Sequence, residues 1–474
     1  MPGFSFHNPE SGDAMSQQYT YSDPTLSLWQ AAVAEVNRNH VASQNVTAAA
    51  NRESVALQAL VPANDLMAPA HLLGAALKSG QAIDPTIASS LAKESSSFMI
   101  AASAEAAVPI DCAKVAAQFL WSEITGNQSK SAEFAGELQD SVCDIGWGEC
   151  VTTYLKYKLS GGDLPYRAGL DPVIDLGAKT KLAIIGDWGT GDAVAVNLLQ
   201  QVAGLRPDVL IHLGDVYYAG TRNEEQINFL NICRQVLGNG VPLFSLCGNH
   251  DMYSGGNGYY WLLEQIGQQA SYFCLQNADW QFLAMDTGHN DHNPLTVATN
   301  MTSLVTQGSW AEEDWLLDKI NLAGARKTVL LSHHQLFSPF GSVGSVNGQA
   351  YAYNPNLRAT FQAVMPQIAW WFWGHEHTLA VFNPYMGLLR GRCVGASAVP
   401  VFTDQQSYTS ASGLETYGGA ALPTWNPNGV LGNNGTDYAH AFALMTLNGA
   451  SANVDYYQVP ILGTAVKLAV TDSI

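Results

Sequence analysis

Five short turns in this chain carry side chains that can bind metal. They are Gly186-Asp187-Trp188-Gly189, Gly214-Asp215-Val216-Tyr217-Tyr218, Gly248-Asn249-His250-Asp251, Ser332-His333-His334 and Gly374-His375-Glu376-His377. In order they present Asp, Asp plus Tyr, Asn plus His, His, and His plus His. Seven or eight oxygen and nitrogen donors in such turns are too many for one tetrahedral ion, and they suit two ions sharing a bridging carboxylate. Taken alone, an Asp after a strand more often caps a helix and a His after an apolar run is more often structural. The repetition is what points to chelation.

The elements that must hold these turns are legible beside them. Each turn follows a short apolar run: Leu182 to Ile185, Val209 to Leu213, Leu243 to Leu246, Thr328 to Leu331 and Ala369 to Trp373. These runs read as buried parallel strands, with a helix between the first two over Asp192 to Leu205. Ligands of open α/β sheets bind beyond the C-terminal ends of the strands, so the donors are expected to converge on one sheet edge. Further helices are expected at Glu224 to Val236 and Trp310 to Leu322, and further strands at Phe282 to Met285 and Phe442 to Met445. The Gly/Asn/Pro-rich stretch between Asp404 and Tyr438 is long for a compact domain, and such loops are often functional or mobile.

The five motifs, in this order over roughly Lys181 to Val459, resemble the calcineurin-like metallophosphoesterase superfamily, and within it the purple acid phosphatase branch. The branch rests on Asp187-Trp188-Gly189, where most of the superfamily has Asp-x-His, and on Tyr218, three residues after Asp215, as the replacement ligand. The resemblance implies an α/β (α+β) metallophosphoesterase sandwich of two β-sheets flanked by helices. It also implies that Asp187, Tyr218 and His377 hold one metal, that Asn249, His333 and His375 hold the other, and that Asp215 bridges them. A phenol ligates near neutral pH only beside a strongly Lewis-acidic ion. The implied cofactors are therefore Fe3+ with Fe2+, Zn2+ or Mn2+.

The same resemblance gives His250 a catalytic role, hydrogen-bonding the phosphoryl group or protonating the leaving oxygen, with Asp251 expected to orient its imidazole. Hydroxide held by the two metals would attack phosphorus in line. The chain departs from the branch in the loop after the fourth motif, Gln335 to Ser342, where His334 is the sole extra imidazole. His334, His289 and His292 are the candidates for lining the substrate pocket, with a surface loop as the alternative for the last two.

Composition bounds what surrounds this centre. At 474 residues the chain is long enough for two domains, and 47% hydrophobic content supplies sizeable cores. A net charge of -19 disfavours nonspecific binding to nucleic acid or anionic membranes. Residues 1–20 read as a flexible terminus without a legible signal peptide, which suggests a cytoplasmic or unconventionally exported protein. The apolar neighbourhood from Phe98 to Trp121 contains Glu105, Asp111 and Lys114 and is not a membrane span.

Residues 21–175 read as a helical domain or cap ending in a linker. Asp23-Pro24 and Asp84-Pro85 mark helix starts, and Ser160 to Pro165 and Asp171-Pro172 carry Gly and Pro at linker density. The catalytic domain is expected over 176–474. The seven cysteines include no Cys-x-x-Cys pair; Cys143 and Cys150 could bridge, but scattered reduced thiols are the simpler reading.

The expected activity is hydrolysis of small phosphate monoesters at acidic to neutral pH. A phosphodiesterase acting on cyclic nucleotides or phospholipid head groups is the alternative within enzymes. An interaction or effector protein dominated by its helical region is the alternative of another class.

Overall fold

In the computed structural model the described residues are Cys150, Thr153, Tyr154, Tyr157 and residues 162–474, apart from 293–300, 400, 402, 404–407, 436 and 461–465. The flexible terminus, almost all of the expected helical domain and Cys143 lie outside the described residues. Cys150 is buried.

Strand β1 (Val173–Asp175) is followed by β2 (Lys181–Ile185), α1 (Ala193–Gly204) and β3 (Val209–His212). The Asp192 side chain accepts the amide of Ala195 and so starts α1. Thr221 and Glu224 close a capping box on α2 (Arg222–Glu224). The chain then widens into a π-helical stretch (Glu225–Leu230) and continues as α3 (Asn231–Leu237), β4 (Leu243–Ser245), α4 (Asn249–Tyr253) and α5 (Asn257–Ile266). Strands β5 (Phe273–Gln276) and β6 (Trp280–Ala284) precede a small hairpin of β7 (Thr306–Gln307) and β8 (Trp310–Ala311). After α6 (Glu312–Asn321) and β9 (Lys327–Ser332) comes a second hairpin, β10 (Gly344–Val346) and β11 (Gln349–Tyr351), and then α7 (Pro355–Phe361). The chain closes with β12 (Ile368–Trp373), β13 (Leu379–Val381), β14 (Gly391–Val394), β15 (His440–Asn448), β16 (Ser451–Val459) and β17 (Lys467–Ser473).

Two mixed sheets result, ordered β1-β5-β6-β9-β12-β14-β13 and β17-β16-β15-β2-β3-β4. Alternation along the strands decides what each face buries. Leu182 and Ile184 of β2, Val329 and Leu331 of β9, and Trp370 and Phe372 of β12 meet in the core between the sheets. Ala183 and Ile185 turn outward against Leu198 and Val202 of α1. Leu330 and Trp371 turn outward against Leu316 of α6 and Phe361 of α7. The result is the expected metallophosphoesterase sandwich, helices on both outer faces. No helix among the described residues is long and apolar enough to cross a membrane.

Register brings the turns level. β2 and β3 run parallel with Ile185 opposite His212, and β3 and β4 run parallel with His212 opposite Ser245. In the other sheet β12 and β9 run parallel with Trp373 opposite Ser332. The donors expected on one sheet edge are therefore shared by two: three turns leave one sheet and two leave the other. Residues 162–175, which read as linker, are tied into the fold. β1 pairs with β5, Tyr166 donates to Glu312 at 2.8 Å, and Asp171 pairs with Lys319 at 2.7 Å.

Beneath the turns His212 is fully buried, packed against Phe229 with ring centres 5.0 Å apart and 3.1 Å from Ser245 Oγ through Nδ1. Burial pushes its pKa down to about 3. The folded chain thus keeps it neutral while an unfolded histidine charges near pH 6.5, and stability falls as pH drops from about 6.5 toward 3. The loss is on the order of 4 kcal/mol over that range. In metal-free protein, His212→Asn is expected to narrow the gap between melting temperatures at pH 7 and pH 4. An equal gap in the two proteins would contradict it.

Candidate metal centre

Two groups of donors meet at the shared edge. In the first, the Tyr217 hydroxyl lies 3.3 Å from Asp187 Oδ1, 3.3 Å from Asp215 Oδ2 and 3.1 Å from His377 Nε2, and His377 Nε2 is 3.4 Å from Asp187 Oδ1. In the second, Asn249 Oδ1 is 2.9 Å from both His333 Nε2 and His375 Nδ1. Those nitrogens are 3.2 Å apart, and His333 Nε2 is 3.3 Å from Asp215 Oδ1. Donors roughly 2.1 Å from a common ion lie about 3.0–3.4 Å from one another, so both groups have the spacing of a coordination shell. Asp187, Asp215, Asn249 and His333 are at most 1% exposed. Buried carboxylates packed among imidazoles are an arrangement that cations complete.

The imidazoles are prepared as ligands. Burial, then the neighbouring His334 and His375 rings, holds His333 well below the ordinary histidine range. Burial, then His334 and His377, does the same for His375. Both stay neutral, with a lone pair available. Donation from His333 Nδ1 to the carbonyl of Leu213, at 3.0 Å, leaves Nε2 bare toward Asn249.

The backbone at these residues is unusual in a consistent way. Asp187, Asp215 and His375 have φ values of 56, 76 and 61°, a left-handed region that non-glycine residues rarely adopt and that clusters at functional sites. Two motif glycines are required by close approach: a Cβ on Gly248 would stand 2.1 Å from Asp215 Oδ1, and one on Gly374 would stand 2.6 Å from Asp187 Oδ2.

The expected tyrosine is displaced by one position. Tyr217, 3% exposed, brings its hydroxyl into the first group, whereas Tyr218 is expected there from the resemblance. The turn is fixed from three sides. The Tyr217 amide donates to the Gly189 carbonyl at 3.0 Å, its carbonyl accepts from Asn228 Nδ2 at 2.9 Å, and the Tyr218 amide donates to Glu224. Tyr218, only partly buried, meets the centre through its backbone, its carbonyl 2.6 Å from His250 Nδ1. The Tyr217–Tyr218 peptide is cis.

The role expected for Asp251 also changes. Its carboxylate accepts the amides of Gly248 at 2.6 Å and of Asp215 and Val216 at 3.0 Å each, so it ties the second and third turns together. The carbonyl of Tyr218, rather than Asp251, orients His250. The His250 ring lies between those of Tyr217 and Tyr253, with centroids 4.5 and 4.7 Å away, and its Nε2 is 4.0 Å from Asp215 Oδ2. Burial pushes the Asp251 carboxyl above the usual carboxylate range, against the pull of those amides.

Of the three outlying histidines, His334 reaches the centre, its ring 4.4 Å from that of His375. Donor atoms of His333, His334 and His375 lie within 4.8 Å of one another, as do those of Asp187, Asp215 and His333. His334 is held by Asp291 Oδ2 at 3.0 Å through Nε2 and by Thr287 Oγ1 at 3.0 Å through Nδ1. His289 packs edge-on against Tyr166 at 5.2 Å, and His292 Nδ1 lies 2.8 Å from the His289 carbonyl. The signal in that loop was therefore Asp291, which lies among those histidines in the sequence. The Gly/Asn/Pro-rich stretch is tied to the chain just after the last turn, where Thr378 Oγ1 donates to the Tyr408 hydroxyl at 2.6 Å.

Residues 180–379 match the family model of the calcineurin-like phosphoesterases. No curated protein sequence matches the chain. Among solved structures, a purple acid phosphatase from yellow lupin (Lupinus luteus) seeds is 14% identical, with a TM-score of 0.40 over 63% of this chain and 54% of that one. The chain thus spans about half of the lupin protein's length. GAP50, the anchor in the inner membrane complex of Plasmodium, is 13% identical, with a TM-score of 0.38 over 62% of this chain and 88% of that one. Vps29 from Entamoeba histolytica is 11% identical, with a TM-score of 0.28 over 62% and 98%. The family match carries the assignment: residues 180–379, which hold all five donor-bearing turns, are a region of the calcineurin-like phosphoesterase family.

Proposed function

We propose that the chain is a dinuclear phosphomonoesterase of the purple acid phosphatase type, working at acidic to neutral pH. The observation that supports this reading best is the position of Asp215. Its Oδ2 lies with the Tyr217, Asp187 and His377 group, while its Oδ1 lies with His333 of the other. One carboxylate facing two complete donor sets is what a shared pair of ions needs. On this reading Asp187, Tyr217 and His377 hold a ferric ion, for which a phenolate is suited. Asn249, His333 and His375 hold zinc, manganese or ferrous iron.

The bound cations would activate a water molecule and neutralise charge on the phosphoryl oxygens. His250 Nε2 is placed to meet a phosphoryl or leaving-group oxygen, because Nδ1 is occupied by the Tyr218 carbonyl. His334, whose two ring nitrogens are taken by Asp291 and Thr287, flanks the second site beside His375. Small phosphate esters fit the strongly acidic chain, whose charge of -19 disfavours polyanionic partners.

The test couples metal counting to substrate choice. Protein with two metals per chain is expected to be coloured by iron phenolate and to hydrolyse p-nitrophenyl phosphate at least about tenfold more efficiently than its bis ester. Tyr217→Phe should bleach the band, while Tyr218→Phe should keep it. A colourless, two-zinc protein would contradict the iron assignment, and a bis ester preference would contradict the monoesterase.

A further inference from the structure

Three residues upstream of the matched region pack behind the turns of the centre from one helical face. Cys150, Tyr154 and Tyr157 are in helical conformation at spacings that place them on the same side. They are 0, 0 and 4% exposed. The Cys150 thiol donates to Glu224 Oε1 at 3.1 Å. That carboxylate, itself 4% exposed, also accepts the amides of Tyr218, of Ala219 at 3.2 Å and of Thr221 at 2.9 Å. Four donors from two separate segments therefore converge on one buried carboxylate, and three of them come from the stretch that follows Tyr217.

The same face touches the neighbouring turn. Gly255 packs so closely on Tyr157 that a Cβ there would lie 2.5 Å from the ring. The Ser254 amide donates to the Ala219 carbonyl at 3.3 Å. Cys150 thus reaches the turn that carries Tyr217 through Glu224, and Tyr157 packs on the turn that follows His250. Removing one donor from a buried carboxylate leaves it under-satisfied and frees the amides it holds to shift.

We infer that Cys150 is a positioning residue: through Glu224 its thiol fixes the turn that presents the Tyr217 hydroxyl to Asp187, Asp215 and His377. Cys150, which lies upstream of the matched region, then belongs to the support of the phosphoesterase site. The functional half of this inference rests on the reading of Tyr217 as a metal ligand. The structural half, the clamp itself, does not.

The experiment compares full-length Cys150→Ala, which removes the donor, with Cys150→Ser, which restores one. Hydrogen exchange is followed in peptides covering residues 217–221 of chelator-treated protein, and kcat and KM for p-nitrophenyl phosphate are measured on metal-counted protein. Cys150→Ala should speed exchange of these amides by about tenfold. It should lower kcat by about tenfold with KM within about twofold, and Cys150→Ser should recover both. Unchanged exchange in Cys150→Ala, or equal impairment of the Ala and Ser proteins, would overturn the inference. If Cys150→Ala does not fold, Cys150→Val, close in volume and without a donor, carries the same comparison. Failure of the metal reading is distinguishable: it shows as a wild-type chain without two metals, while the exchange comparison still decides the clamp.

Discussion

Asp215→Asn is expected to release both metals and to lower kcat/KM by about 10³-fold or more. The side chain is 1% exposed, and its two oxygens serve different donor groups. The amide keeps the volume but loses the charge, and its NH2 must face either the Tyr217 hydroxyl or His333 Nε2. With the nitrogen toward Tyr217, the phenol group loses an anionic neighbour that favours cation binding. With it toward His333, the imidazole group loses the same. The His250 amide bond to Oδ1, 3.0 Å in the native chain, makes the second orientation the poorer one. Asp187→Asn is the control: Oδ1 lies with the first group and Oδ2 is taken by the His375 amide at 2.9 Å, so it should cost one metal equivalent. Elemental analysis of the purified variants, with kinetics on the same samples, decides the matter. Two metals retained in Asp215→Asn with activity within about tenfold of native would remove the bridging role.

What was legible in the sequence follows from burial on both faces. β2, β3, β4, β9 and β12 are continuous apolar runs because each is covered by the other sheet on one side and by helices on the other. Their turns could therefore be found, and so could the donors in them. β16 buries alternate residues along Ser451–Val459, and β17 is largely exposed, so neither gave an apolar run to read. Tyr217 was out of reach for a different reason. Which of two adjacent aromatic side chains enters the centre is set by Gly189, Asn228 and Glu224, which lie on both sides of it in sequence. The Asp251 role failed on helix geometry. His250 and Asp251 are consecutive in α4, and consecutive residues on a helix do not face each other, so the carboxylate turns to backbone amides. How residues 162–175 attach was not legible, because Gly and Pro content reports local conformation only. Contacts with Glu312, Lys319 and β5, distant in sequence, attach that stretch.

His250→Ala should lower kcat by about 10²-fold, the usual scale for one proton-transferring or charge-stabilising side chain, while the metal content stays at the native level. None of the donor separations in either coordination group involves its ring, which is fixed by contacts a metal does not need. Nδ1 meets the Tyr218 carbonyl at 2.6 Å, and Tyr217 and Tyr253 flank the ring. With Nδ1 donating to that carbonyl, Nε2 is the nitrogen left to hold or move a proton, and it stands 4.0 Å from the bridging carboxylate. Truncation to Ala also removes a ring that packs on Tyr217, so His250→Gln serves as the companion variant, keeping a polar side chain of similar reach. If His250 acts on the reacting phosphoryl group, both variants should lose kcat, and the loss should be smaller for an ester with a good leaving group such as p-nitrophenol than for an alkyl phosphate, whose departing oxygen needs protonation. Equal losses for the two esters would confine His250 to phosphoryl binding, and loss of metal in both variants would move it into the ligand set.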